Sequence, residues 1–218
     1  MMGKIPVRCI GGPTASGKSS YALKLAQEID GVIINADSQQ VYQEIPILSA
    51  QPSVEDQEKV PHMLYGILPG SQACSAHTWQ EMAIEAILKA HQMGKVPIVV
   101  GGTGLYLSAI IDGLSAIPEV SAEIRQEVRE IAQSQGVQSI RALLDTEDPE
   151  MAEILHPNDT QRQTRALEVI RSSGKSLKYW QSKRDRTHIE KFDCSLEVIN
   201  RPRDELKARA ISRIDQMF

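Results

Sequence analysis

No run in this chain approaches the ~18 consecutive apolar residues that a bilayer-crossing helix requires. The opening stretch, MMGKIPVRC, carries no apolar signal-peptide segment. Cysteine is scarce: Cys9, Cys74 and Cys194 are odd in number and far apart in the sequence. That pattern points away from a disulfide framework and from a cysteine metal site. The expectation is three small buried hydrophobes with reduced thiols, in a cytoplasmic protein with no membrane partner. Positive charge is in deficit as well. The 24 Lys and Arg stand against 28 Asp and Glu for a net of −4, which argues against an indiscriminate nucleic-acid binder. Internal repeats and low-complexity segments are absent.

What is present suits an ordinary globular core: 218 residues, 41% of them hydrophobic, enough for one large domain or a domain with an insert. The charge is unevenly spread. Residues 1–155 hold 10 Lys and Arg against 19 Asp and Glu, a net of −9, whereas residues 156–218 hold 14 against 9, a net of +5. A basic C-terminal third on an acidic front is either a localised polyanion contact or a solvated helical surface.

The most informative stretch is VRCIGGPTASGKSS, residues 7–20. An apolar run, Val7 to Ile10, ends in Gly11–Gly12. Four residues on come Gly17, Lys18 and Ser19, then a helix-like segment to about residue 29. This is the G-x-x-x-x-G-K-[ST] phosphate loop in its strand-loop-helix setting. Its glycines turn backbone N–H groups toward phosphate oxygens, and the following helix adds the positive end of its dipole. Lys18 supplies a mobile charge, and the Ser19 hydroxyl can ligate Mg²⁺. The loop specifies a di- or triphosphate and leaves the reaction open.

GVIINAD, residues 31–37, reads as a buried parallel strand ending in Asp37, Ser38, Gln39 and Gln40. Ligands of such βαβ units sit beyond the carboxyl ends of the strands, so Lys18 and Asp37 are expected at one sheet edge. Asp37 can bind Mg²⁺, act as a general base or cap the next turn. Residues 43–76 are loop-rich, with one short strand within 60–70, and His62 there reads as a structural hydrogen-bonding group. Residues 77–93 form an amphipathic helix closed by Gly94. PIVV, residues 97–100, is a third buried strand running into Gly101-Gly102-Thr103-Gly104, and residues 105–114 read as a helix.

From Pro118 the texture turns helical, with helices predicted over 121–135, 138–145, 148–155, 159–173 and 175–185. Ser121 and Asp148 are expected caps, with Pro149 at a helix start, and Asn158 or Asp159 caps the helix that carries Arg162, Arg165 and Arg171. Arg162 and Arg165 share a face that suits a phosphate backbone or plain solvent. Residues 194–200 read as a strand returning to the sheet. Residues 201–218 read as a helix in which Arg209 and Arg213 are i, i+4 neighbours. The chain stops at Met217-Phe218 without a helix-stop signal, so a truncated C-terminus is expected. The predicted fold is α/β: a P-loop NTPase-like parallel sheet flanked by helices, with a mainly helical insert. The predicted division is a core over 1–117, the insert over 118–188 and a return to the core over 189–218.

Seven stretches together resemble the tRNA dimethylallyltransferase (isopentenyltransferase) family. They are GPTASGKS (12–19), INADSQQVY (34–42), VPH (60–62), CSA (74–76), PIVVGGTGLYL (97–107), HPND..R..RALEV (156–169) with SGK (173–175), and RDELKARAISRIDQM (203–217). They are collinear with the family's order. PILSAQPS, following ADSQQVY, departs from the Gly-Thr-Ala-Lys-Pro-like run of many members.

The resemblance implies transfer of a dimethylallyl group from dimethylallyl diphosphate to the exocyclic amine of the adenosine 3′ of the anticodon. It implies Mg²⁺ as cofactor, tRNA through its anticodon stem-loop as partner, and a monomer. By resemblance, Asp37, Thr14, Lys18 and Arg213 are catalytic. Gly12, Pro13, Thr14, Ala15, Ser16, Gly17, Lys18 and Ser19 bind the diphosphate, with Ser19 on the magnesium. Asp37, Ser38, Gln39, Gln40, Thr103, Arg125, Gln161, Arg162, Gln163, Thr164 and Arg165 contact tRNA, which gives the insert its expected role. The alternatives are an adenylate isopentenyltransferase acting on free nucleotide, a small-molecule kinase and a nucleotide-dependent RNA-binding module.

Overall fold

The computed structural model describes residues 3–215. In chain order the elements are β1 (Ile5–Gly11), α1 (Lys18–Glu28), β2 (Gly31–Asn35), α2 (Val54–Lys59), β3 (His62–Met63), α3 (Ala76–Gln92), β4 (Val96–Gly101) and α4 (Gly104–Ile111). Then follow β5 (Leu114–Ser115), α5 (Ala122–Gln135), α6 (Val137–Glu147), α7 (Pro149–Ile154), α8 (Thr160–Ser173), α9 (Leu177–Gln181), β6 (Arg184–Asp185), β7 (Phe192–Val198) and α10 (Arg203–Asp215). The chain divides into two compact units. One holds everything up to Gly113 and from Arg186 onward; the other is Leu114–Asp185.

The first unit is a five-stranded, all-parallel sheet in the order β3-β2-β4-β1-β7. Helices cover its faces, which explains why β2 is buried along its whole length and reads as an unbroken apolar run. Gly11 pairs with Gly101 and Asn35 with Val100, so β1, β2 and β4 end level with one another. The core gathers Ile10, Ala22, Ala26, Ile33, Ile98 and Val100 between α1 and the sheet. Trp79 of α3 is fully buried and stacks on Tyr106 of α4 at 4.2 Å between ring centroids. Its indole N–H donates to Asn35 O at 2.9 Å, satisfying a carbonyl at the end of β2.

The second unit packs α5, α6, α7 and α8 around Val128, Ile140, Leu144, Met151 and Leu167. The expected caps form. Ser121 Oγ accepts from Ile124 N at 3.4 Å, Asp148 Oδ1 from Met151 N at 3.2 Å, and Asp159 Oδ1 from Arg162 N at 3.2 Å.

Three local readings are corrected. The helix expected over 175–185 is only Leu177–Gln181, because β6 pairs antiparallel with β5. The helix expected through residue 114 ends at Ile111, where Gly113 turns the chain at φ 85°. The stretch 43–76 contains α2, capped by Ser53 Oγ on Asp56 N at 3.1 Å. None of its residues is buried, so it shows no apolar period. Cys9 and Cys194, remote in sequence, meet on neighbouring strands, and the hydrogen bond between them together with burial pushes the Cys9 thiol up. All three cysteines are free thiols. Among the described residues no helix is long and apolar enough to cross a membrane. The end expected to be truncated, Met217-Phe218, lies outside the described residues.

Candidate active site

Residues 12–17 carry the chain from β1 into α1. Ala15 and Gly17 both take positive φ, 64° and 94°, which curls the segment into a concave run of amides. Gly17 stands at the N-cap of α1 and among the described residues no side chain caps the helix, so the first-turn N–H groups remain for a ligand. Lys18 Nζ donates to Pro13 O at 3.3 Å, folded back over its own loop. The outer carbonyls of the loop are held from α10 and the residues before it. Arg201 Nε donates to Ser16 O at 2.7 Å, and Arg209 Nε to Ala15 O at 2.8 Å.

The turn after β2 is fixed by Asn35, whose Oδ1 accepts from Asp37 N at 2.8 Å while its Nδ2 donates to Asp37 O and Leu64 O, each at 3.0 Å. Asp37 Oδ1 accepts from Gln39 N at 3.0 Å, which is the capping role. The turn after β4 sits against it so closely that a Cβ on Gly101 would lie 1.9 Å from Ala36 O, a position only glycine tolerates. Thr103 N donates to Ala36 O at 3.2 Å, and Thr103 Oγ1 accepts from Ser38 N at 3.0 Å. Gly102 gives the decisive measure: a Cβ there would stand 3.5 Å from Asp37 Oδ2 and 3.7 Å from Lys18 Nζ. The two charged tips are therefore separated by no more than the sum of these distances.

Both open into one cavity of about 560 Å³, lined by Thr14, Ala15, Gly17, Lys18, Ser19, Asp37, Gln40, Arg209 and Arg213 among others. Burial holds the Lys18 ammonium below the ordinary lysine range; Asp37 opposes that shift and Arg213 reinforces it. An anion bound there would restore the charged form. The cavity thus combines three cations, a helix N-terminus and one carboxylate. It suits a polyphosphate at one end and a proton-bearing group at the other.

A family model described as IPP transferase matches residues 40–218. The chain belongs to the IPP transferase family. A tRNA dimethylallyltransferase of Rhodospirillum rubrum is 46% identical over 97% of this chain and 65% of its own length. One of Rhodospirillum centenum is 44% identical over 98% of this chain and 68% of its own. The chain thus spans about two thirds of these relatives. Among solved structures, a eukaryotic dimethylallyltransferase acting on tRNA superposes with a TM-score of 0.81 at 30% identity, covering 98% of this chain and 52% of that one. The tRNA isopentenylpyrophosphate transferase of Bacillus halodurans gives 0.63 at 33% identity, covering 98% and 66%.

Of the residues carried over from the family pattern, Thr14, Ala15, Gly17, Lys18, Ser19, Asp37, Gln40 and Arg213 share the cavity. Gly12 and Pro13 line a separate, mainly apolar recess with Leu107 and Leu196. Ser16 is fully buried, and among the described residues its hydroxyl has no hydrogen-bond partner. Gln40 donates its amide to Ser49 O and Ala50 O, at 2.8 and 2.7 Å, and so holds another wall of the cavity. Gln39 is exposed, and Ser38 and Thr103 are half-buried. Arg125, Gln161, Arg162, Gln163, Thr164 and Arg165 belong to the other unit. Arg125, Gln161 and Arg162 are exposed; Thr164 and Arg165 are half-buried. Gln163 corrects the expectation of a direct contact: it is fully buried, donating to His156 O and Pro157 O at 2.8 and 2.9 Å. Its place is to hold the HPND turn on α8.

Arg171, grouped in sequence with Arg162 and Arg165, is bound instead to Glu147 and Glu127. His62 Nδ1 pairs with Val60 O at 2.8 Å, the structural role. Sequence reasoning missed Arg201 and the loop contact of Arg209. The only available signal was the arginine spacing in the last helix. Among the described residues no cluster of three His, Cys, Asp or Glu gathers as a metal site.

Proposed function

We propose that this chain carries the reaction site of a tRNA dimethylallyltransferase. The substrates would be dimethylallyl diphosphate and the adenosine 3′ of a tRNA anticodon. The observation that carries the reading is the convergence of Lys18 and Asp37 on one cavity, with Gly102 between them. In the reaction the allylic C–O bond breaks, a C–N bond forms to the exocyclic amine and that nitrogen loses a proton. Negative charge grows on the departing diphosphate. The loop amides, the N-terminus of α1, Lys18 and Arg213 would take it. Thr14 on the cavity wall adds a hydroxyl donor.

Asp37 Oδ1 is engaged by Gln39 N, whereas Oδ2 is turned toward Gly102 and Lys18. Oδ2 then orients the amine and receives its proton. Positioning matters because the lone pair of an aryl amine is delocalised. Extruding the adenosine costs a few kcal/mol, which contacts to neighbouring nucleotides must offset. Ser38, Gln39, Gln40 and Thr103 are the candidates in the first unit; Arg125, Gln161, Arg162, Thr164 and Arg165 are those in the second.

A magnesium ion fits the residues present, since it keeps phosphate and water as most of its ligands and asks the protein for few. The Ser19 hydroxyl, on the cavity wall, would supply one of those few. When bound, Mg²⁺ neutralises charge on the leaving diphosphate. The test is mass spectrometry of tRNA nucleosides after incubation with dimethylallyl diphosphate and Mg²⁺. A C5H8 mass increment on one adenosine is expected. Incorporation into adenosine monophosphate alone, or ATP consumption with no prenyl transfer, would overturn the reading.

A further inference from the structure

In the second unit positive charge collects late. Residues 156–185 hold 7 Lys and Arg against 3 Asp and Glu, while residues 114–155 hold 3 against 9. Several of the late cations have carboxylate partners. Arg162 meets Asp159 at 3.4 Å, Arg165 meets Glu168 at 3.3 Å, and Lys178 meets Glu150 at 2.7 Å. Arg171 is bracketed by Glu147 and Glu127.

Lys175 and Lys183 differ. Among the described residues neither has a carboxylate within 4.0 Å, and both turn to Tyr179. Lys175 Nζ donates to the Tyr179 hydroxyl at 3.1 Å and stands 4.4 Å from the ring centroid. Lys183 Nζ stands 4.6 Å from the same centroid. The support beneath is a ring contact and a pair of hydrogen bonds. Tyr179 meets Trp180 edge-on at 5.2 Å, and the Trp180 N–H donates to Ser173 Oγ at 2.9 Å. Ser173 Oγ also accepts from Lys175 N at 3.2 Å.

Two like charges on one ring repel, and a cation–π contact at an exposed site returns little against that. Each ammonium has three donors, and the one phenol oxygen beside them has too few lone pairs to satisfy both. The arrangement is completed by an anion with several acceptor oxygens. Hydrogen bonds from Lys183 and Lys175 already hold the Tyr179 phenol below its ordinary range, as a site of positive potential does. Both lysines are exposed. Such an open pair holds a lone phosphate weakly and gains strength when the phosphate belongs to a chain bound elsewhere on the same protein.

We propose that Lys175, Lys183 and the Tyr179 hydroxyl form a phosphodiester-binding site that engages the tRNA backbone, separate from residues 161–165. The inference rests on the tRNA reading of the preceding subsection. The experiment measures binding of a transcribed tRNA to the whole chain across a salt series, beside pyrophosphate binding and thermal unfolding. For K175Q/K183Q the expected result is about tenfold weaker tRNA binding near 0.1 M salt. The slope of log affinity against log salt becomes shallower by about 1 to 2, with pyrophosphate affinity and unfolding unchanged. K175R/K183R is expected to restore the slope. A double Gln variant with the parental slope and affinity overturns this site while leaving the transferase reading intact. Loss of poly-glutamate binding with tRNA binding unchanged reassigns the patch to an acidic protein and equally overturns it. A parent chain that binds no tRNA removes the transferase reading and this site together.

Discussion

The Asp37 carboxylate divides its oxygens between a local turn and the cavity, so substitutions can separate the two roles. Asp37→Asn keeps an acceptor for Gln39 N but cannot take a proton. It is expected to lower turnover by about 10²–10⁴ with donor affinity unchanged, in steady-state kinetics with tRNA. Undiminished turnover would take Asp37 out of the reaction. Lys18→Ala is expected to weaken pyrophosphate binding and to reduce transfer by about 10²–10³. The pH dependence follows from the buried ammonium. Its folded pKa lies below the usual value, so the charge is lost on the alkaline side earlier than for an exposed lysine. Donor affinity should therefore fall as pH rises, and Lys18→Arg should flatten the decline, since a guanidinium keeps its proton. Titration of pyrophosphate binding between neutral and alkaline pH checks both.

Among the elements, those legible in the sequence were those with a strong period or a motif. β1, β2 and β4 announced themselves as apolar runs ending in glycine or aspartate, because a parallel strand covered on both faces has little use for polar side chains. The loop after β1 was legible because phosphate chemistry constrains its spacing. α2 escaped notice because nothing in it is buried. The split of 175–185 into α9 and β6 escaped because its cause is a two-residue pairing with β5, remote in sequence. Gln163 was misjudged because a motif records that a residue matters, not whether it faces solvent.

Two element-scale outcomes follow. Gly101→Ala is expected to unfold the protein or separate the strand-end turns, since its methyl group meets the Ala36 carbonyl; chemical denaturation and pyrophosphate binding read the two effects. Arg171→Met removes the tie from α8 to Glu147 and Glu127 and is expected to cost about 1–3 kcal/mol in urea unfolding. Arg171 holds the Glu147 carboxyl below its ordinary range, so the stability from this pair is complete above ~4.3 and fades as pH falls through the lowered pKa. The variant should lose less on acidification over that window.

Over the whole molecule the chain is acidic, yet its cations gather where a polyanion is expected. tRNA affinity should therefore fall steeply with added salt while pyrophosphate affinity, held by a half-buried lysine and backbone amides, falls less; parallel titrations in rising chloride test the contrast. The parallel sheet leaves its loop ends at one edge, and the last described helix returns there. Arg209 reaches back 194 positions to Ala15 O, and Arg201 takes Ser16 O beside it. The loop after β1 is thus held by arginines of the last described helix and the residues before it. A single protease nick between Ile199 and Asn200 would spare every strand yet sever both arginines from the chain that carries the loop; weaker pyrophosphate binding with an unchanged circular dichroism spectrum is the expected outcome.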